Sequence, residues 1–380
     1  MPNLQQIANL EDLRQAAKKR LPHPVFSYVD CAAYDETTRI RNSEDLKQLR
    51  FKQRGLVDIS TIETKTALLG SPARAPVAIA PTGMGGIVTG GQGEIPIIKA
   101  AQSFGIPYIQ GWLSMSSIEE VAEKCAPVWF QILFLKDRGL MQSLIERAHS
   151  AKSPVLVLTI TSPIVAICPR VYRTGLSIPP KLSVRSALSF AVKPAWSLRT
   201  LFGKSVRLGN LPAGTGMADA VGMLDPSATW KDIAWLRSIW PGKLVIKGIG
   251  NPADAVSAVE AGADGLVVST HGGFTLDSAA SSISVLPHIA EAVAGRCEIL
   301  FDSGIRSGQD VLKALALGAS GCLMGRSPLY AAAAYGEAGV HKALELLEME
   351  LKVTAGLTGL RNANDASPDI LWSDWPRNSL

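Results

Sequence analysis

The sequence holds few cysteines, and none of them is arranged as a motif. Five are scattered over 380 residues, at positions 31, 125, 168, 297 and 322. None forms a CxxC pair and the number is odd, which speaks against a disulfide framework and against a zinc site. Long apolar runs are missing too. No stretch approaches the roughly 18 uncharged residues that a membrane span needs. The first residues carry Glu11 and Asp12 and lack a secretory apolar core. A reducing, cytoplasmic setting is the expectation.

Acidic residues are absent from Arg147 to Ala218, while ten Lys and Arg occur there: 147, 152, 170, 173, 181, 185, 193, 199, 204 and 207. Outside this block acids outnumber bases, so the formal net charge of +5 resides in it. The block is also apolar, as in Ala187-Leu-Ser-Phe-Ala-Val and Pro194-Ala-Trp-Ser-Leu-Arg-Thr-Leu-Phe. A lid over a binding site has this character. So does a surface that rests on anionic lipid, and the two readings are compatible. Nucleic acid is not indicated, because no recognition module accompanies the charge.

Eight apolar strand-like runs are present: 75–83, 107–112, 128–133, 154–161, 243–249, 265–271, 298–304 and 321–325. Amphipathic stretches with helical spacing separate most of them, including 118–124, 140–148, 254–261 and 310–317. Continuous apolar strands alternating with helices predict a parallel sheet buried on both faces. Eight such units predict an α/β fold closed as a (β/α)8 TIM barrel. An open doubly wound sheet would place a GxGxxG turn after its first strand, and Pro81-Thr-Gly-Met-Gly-Gly lacks that spacing. With 47% hydrophobic content the chain can fill one large core. The expected organisation is a single domain over 1–380. It comprises a helical prelude (1–70, with helices at 10–20 and 25–33), a barrel (73–360) and a long lid insertion after the fourth strand (about 176–226).

Two turns are the most informative local features. Asp302-Ser-Gly-Ile-Arg-Ser-Gly follows the seventh strand and Gly325-Arg326 the eighth. Each joins small residues and an arginine to the start of a helix, an arrangement that holds a phosphate at the mouth of a barrel.

Nearly the whole chain, from Leu21 to about Leu360, resembles the FMN-dependent 2-hydroxy acid oxidases and dehydrogenases. The motifs that carry the resemblance are Ala80-Pro-Thr-Gly-Met, Trp129-Phe-Gln, Leu158-Thr, Lys247-Gly, Val268-Ser-Thr-His-Gly-Gly, Asp302-Ser-Gly-Ile-Arg and Lys313-Ala-Leu-Ala-Leu-Gly-Ala. The resemblance implies FMN as cofactor. Thr82 and Gly83 would lie along the flavin edge, with Gln131, Thr159 and Ser269 around the ring, where Gln110 replaces a serine of the family. Lys247 would stand near N1, where a cation favours reduced flavin. Asp302, Ser303, Gly304 and Arg306 would hold ribityl and phosphate, with Gly325 and Arg326 completing the cup. His271 matches the catalytic base and Tyr28 a substrate-contacting tyrosine. Gly83 replaces an alanine common in the oxidases, as in members that pass electrons to acceptors other than oxygen. The insertion resembles the lid of membrane-associated members, which implies possible peripheral contact with the inner face of the membrane. Members are often homotetramers.

Four positions depart from the pattern. Two arginines of the substrate site are Phe274 and Cys168, the aspartate behind the histidine is Thr161, and a second tyrosine is Leu133. A charged hydrogen bond contributes about 1.5–3 kcal/mol, so carboxylate binding is expected to be much weakened. Arg170 and Arg173 lie nearby but are expected to face solvent. The resulting expectation is a flavoenzyme that oxidises a hydroxyl-bearing substrate, a 2-hydroxy acid or a larger, uncharged or carrier-bound derivative, with Thr161 lowering the His271 pKa. A flavin-dependent monooxygenase or isomerase, and a non-catalytic FMN-binding homologue, are the alternatives. Retention of His271 with Lys247 speaks against the last.

Overall fold

The computed structural model describes residues 3–161, 163–174, 184–203 and 206–372. Part of the insertion, with Lys181 and Lys204 of the basic block, lies outside the described residues, as does the Arg185 side chain.

All eight expected strands form, each but the fifth shorter than its apolar run. An antiparallel hairpin, β1 (Thr66–Leu68) and β2 (Ser71–Ala73), precedes them. The barrel strands are β3 (Val77–Ile79), β4 (Ile109–Gly111), β5 (Trp129–Leu133), β6 (Val155–Thr159), β7 (Lys243–Ile249), β8 (Gly265–Val268), β9 (Glu298–Asp302) and β10 (Gly321–Met324). Every neighbouring pair is parallel, in the order β3-β10-β9-β8-β7-β6-β5-β4. A parallel bridge between Ile79 and Tyr108 closes the ring. The four amphipathic stretches are the helices Ile118–Lys124, Arg138–Ser150, Pro252–Glu260 and Gly308–Ala316.

Strand alternation divides the core in two. Ile109, Trp129, Val155, Val157, Val245, Val267, Leu300 and Leu323 fill the lumen with Leu68, Leu69 and Ala73 of the hairpin. Their neighbours along each strand pack outward against the helices. The hairpin therefore plugs the amino-terminal end of the barrel. Its fit is close: a Cβ on Gly265 would stand 3.1 Å from Leu69, and the Trp129 indole donates to Ser71 Oγ at 3.0 Å. The prelude holds the two expected helices and a third, and the hairpin at its end is an addition to that expectation.

The prelude helices are Leu10–Arg20, His23–Asp30 and Thr37–Gln48. They serve the opposite end of the barrel. Asp30 is buried and accepts from Arg14 Nε at 2.6 Å, Arg170 at 2.8 Å and Tyr330 Oη at 2.7 Å. That network fixes the end of the second helix, and with it Tyr28, at the carboxyl-terminal mouth. After β6 come the helices Pro169–Thr174, Val184–Ala191 and Pro194–Phe202. They lie across the prelude and the loop after β3: Lys193 Nζ donates to Lys19 O at 2.6 Å, and the Trp196 indole to Ile87 O at 3.1 Å. Among the described residues no helix is long and apolar enough to cross a membrane.

Candidate active site

The carboxyl ends of the strands surround a cavity with about 930 Å³ of empty space, its open mouth included. Thr82 and Gly83 line one wall, with Tyr28 above them. Lys247, His271 and Phe274 form the opposite side. Asp302, Ser303, Gly304 and Arg306 after β9, and Gly325 and Arg326 after β10, close the third.

His271 is held by its surroundings. Its φ is +55°, a left-handed conformation uncommon for a residue with a side chain, and Gly272 continues at +63°. The His271 amide donates to Ser269 Oγ at 3.0 Å and the Gly272 amide to Ser303 Oγ at 2.9 Å. Thr161 Oγ1 lies 3.0 Å from His271 Nδ1, so a neutral partner stands behind the ring. Burial, reinforced by the charge of Lys247, pushes the imidazole down to about 3, and it is neutral at ordinary pH. Thr161 has room because residue 248 is glycine. The β7–β8 register shifts between Lys247 and Ile249. Gly248 bulges there at φ +109°, and a Cβ on it would stand 2.5 Å from Thr161 Oγ1.

Lys247 is buried. Its ammonium donates to Ser269 Oγ at 2.9 Å and pairs with Asp302 Oδ2 at 2.8 Å. Burial disfavours the Asp302 carboxylate, but the Lys247 charge and hydrogen bonds hold its pKa below the ordinary value. Gln131 Nε2 donates to Thr159 Oγ1 at 3.0 Å one layer below. The Tyr28 hydroxyl donates to Gly83 O at 2.9 Å, and burial raises its pKa.

The third wall is cationic. Arg326 donates to the carbonyls of Val29, Cys31 and Gly272 at 3.2, 2.7 and 3.0 Å, and Arg306 to Ile305 O at 2.7 Å. Among the described residues neither has a carboxylate partner. Burial lowers the Arg326 pKa, and Arg306 and Arg39 lower it further. The amides of Gly304 and Ile305 have no partner among the described residues either. The helix starting at Arg326 has no side-chain cap, and the Ser327 hydroxyl in its first turn is buried without a partner. Uncompensated guanidiniums beside open amides fit a phosphate dianion. Gly325 presents a bare wall there, where a Cβ would meet only Ala80 at 4.0 Å. The residues present therefore fit FMN. The turn after β9 differs from expectation in one respect. The start of its helix is already capped: Arg306 N donates to Asp310 at 2.9 Å, Gly308 N to Glu350 at 2.8 Å and Asp310 N to Ser307 Oγ at 3.2 Å. Of these two helices, the one after β10 is without a side-chain cap.

Three other expected positions fall elsewhere. Gln110 faces outward: it pairs in register with outward-facing Phe130, and its amide donates to Ser116 O at 2.9 Å in the helix layer. Strand alternation gives the lumen position to Gly111, whose Cβ would lie 3.4 Å from Gln131 Oε1. Leu133 lines a second cavity of about 940 Å³ with Phe134, Ile160, Pro163, Trp230 and Ile233. Cys168 is partly exposed and is not on the cavity lining; its segment is tied to Asp30 by Arg170. Arg170 does not face solvent but is paired with Asp30 and Glu36 at 2.8 and 2.7 Å. Arg173 is exposed. Sequence reasoning missed Leu329 on the cavity wall, although it follows Arg326 by three residues and so shares its helix face.

Barrel, hairpin plug and cationic cup define a flavin-dependent oxidoreductase, and the profile of the FMN-dependent dehydrogenase family matches residues 17–373. The chain belongs to that family. Two relatives are L-lactate dehydrogenases. That of Caulobacter vibrioides is 42% identical over 381 residues, covering 98% of this chain and 99% of its own. That of Pseudomonas aeruginosa is 44% identical over 370 residues, covering 95% and 97%. Among solved structures, the monotopic membrane protein (S)-mandelate dehydrogenase superposes with a TM-score of 0.93 at 33% identity, over 97% of this chain and 100% of its own. An arginine-to-leucine variant of mandelate oxidase with 2-hydroxy-phenylacetamide gives 0.82 at 34% identity, over 95% and 97%.

Proposed function

We propose that this FMN-dependent enzyme oxidises the hydroxyl carbon of a 2-hydroxy acid derivative larger or less acidic than lactate. The observation that carries this reading is the substrate side of the cavity. Tyr28, His271 and Phe274 face it with no guanidinium among them, and the Tyr28 hydroxyl proton is committed to Gly83 O. A phenol that already donates presents lone pairs, which suit a hydroxyl or amide N–H better than a carboxylate. FMN, when bound, supplies the two-electron acceptor. His271, neutral and held through Nδ1 by Thr161, takes the hydroxyl proton at Nε2. Lys247 and Asp302 set the charge at one edge of the flavin site, and Arg306 and Arg326 hold the phosphate. The second cavity offers apolar walls for a large substituent. It shares a boundary with the first, because Thr159 on its lining pairs in register with Lys247. The mandelate oxidase variant described with a neutral hydroxy amide is consistent with this reading.

The reading also places the insertion against a membrane. Val184, Leu188, Val192, Leu198, Leu201 and Phe202 are exposed, with Phe202 at 81% and Leu201 at 74%. Basic residues flank them, which suits an anionic surface at the inner face of a membrane.

The test is kcat/KM with an artificial acceptor for matched acid and amide pairs. The amide of an aryl 2-hydroxy acid is expected to exceed lactate by at least tenfold. A lactate preference of that size overturns the proposal.

A further inference from the structure

Cys31 and Cys168 stand together although 136 residues separate them in sequence. The Tyr34 amide donates to Ile167 O at 3.0 Å. Arg170 reaches back to Asp30 Oδ2 at 2.8 Å and Asp30 O at 2.6 Å. These contacts bracket the two cysteines on both segments, which run side by side. Both are free thiols; Cys31 is buried and Cys168 partly exposed. We propose that Cys31 and Cys168 form a peroxide-sensitive dithiol, which closes to a disulfide joining the base of the lid to the second prelude helix.

The two thiols have unequal roles. Cys168 is the accessible one. The neighbouring Cys31 lowers its pKa, and the charges of Arg326 and Arg170 add to that, so it is the nucleophile. Arg170 Nε is buried in the same cluster without a partner. The Cys168 thiolate attacks one oxygen of hydrogen peroxide. The S–O bond forms, the O–O bond breaks, and hydroxide leaves as water after taking a proton. The Cys31 thiol then attacks the sulfenic sulfur; the S–S bond forms, the S–O bond breaks and a second water departs. Two thiols lose two electrons in all, and one peroxide becomes two waters.

The bond would be felt in the active site. The Cys31 thiol donates to Tyr28 O at 3.4 Å, and Arg326 donates to Cys31 O at 2.7 Å. Tyr28 and Arg326 both line the cavity. Oxidation removes the first contact and pulls on the segment that receives the second, so turnover falls while the bond persists.

The experiment treats the holoenzyme with stoichiometric hydrogen peroxide, alkylates remaining thiols and maps peptides. The expected product is a cross-linked pair containing Cys31 and Cys168, two hydrogens lighter than its parts and absent after dithiothreitol. Turnover should fall severalfold and recover with the same reductant. Cys31→Ala and Cys168→Ser should each abolish the reversible loss. If a variant does not fold, mapping of the unaltered chain decides. Both thiols remaining alkylatable, or passing separately to sulfinic acids, overturns the proposal. A disulfide that leaves turnover unchanged overturns its link to the active site. The peptide masses require no substrate, so their outcome is independent of the proposed function.

Discussion

At the scale of single residues the account rests on the 3.0 Å contact between Thr161 and His271. A hydroxyl fixes the ring but adds no negative charge, so the imidazolium formed on proton transfer is stabilised less than beside a carboxylate. Thr161→Asp should therefore raise the His271 pKa from its depressed value, moving the acid limb of the pH–rate profile upward, and should speed flavin reduction. A slower reduction with the fold intact would contradict the role given to His271. The same burial makes stability depend on pH. The neutral histidine contributes fully above the unfolded value near 6.5, and that contribution is lost as the pH falls toward the folded value of about 3. The residues most legible in the sequence were those whose chemistry is written in the residue type, such as His271, Lys247, Arg326 and the glycines. Gln110 was misplaced because a short strand, Ile109–Gly111, gives little periodicity from which to read which side faces inward. Arg170 was misread as solvent-facing because its partners, Asp30 and Glu36, are far away in sequence.

At the scale of elements, the eight strands were legible because parallel strands buried on both faces are continuously apolar, and their helices carried the usual amphipathic spacing. The plugging hairpin was not. Its strands have three residues each, one of them a proline, and their burial depends on the barrel end they cover. Nor was the bulge at Gly248, which needs the register with β8 to be seen. Gly248→Ala is expected to cost about 1–3 kcal/mol in backbone strain, read as a lower thermal midpoint. It should also push Thr161 away from His271 and slow flavin reduction. An unchanged midpoint and rate would show that the bulge is not needed to seat Thr161.

At the scale of the whole molecule, one surface is unlike the rest. The acid-free block was visible in composition alone, but which of its side chains pack inward and which project outward was not. In the structure Trp196 and Phe190 pack inward, while Leu201 and Phe202 project outward. Burying one such side chain contributes about 1.5–3 kcal/mol. Replacing both Leu201 and Phe202 by serine should therefore reduce co-sedimentation with anionic vesicles by at least tenfold, with turnover on soluble substrate retained. Equal sedimentation of the two proteins would move the contact elsewhere.

The most direct test of the central claim is an anaerobic absorbance titration of the purified protein. Bound FMN should bleach at low concentrations of an aryl 2-hydroxy amide or ester, and only at far higher concentrations of lactate or glycolate. Bleaching by lactate or glycolate at the lower concentrations, or flavin that no hydroxy compound reduces, would contradict the account.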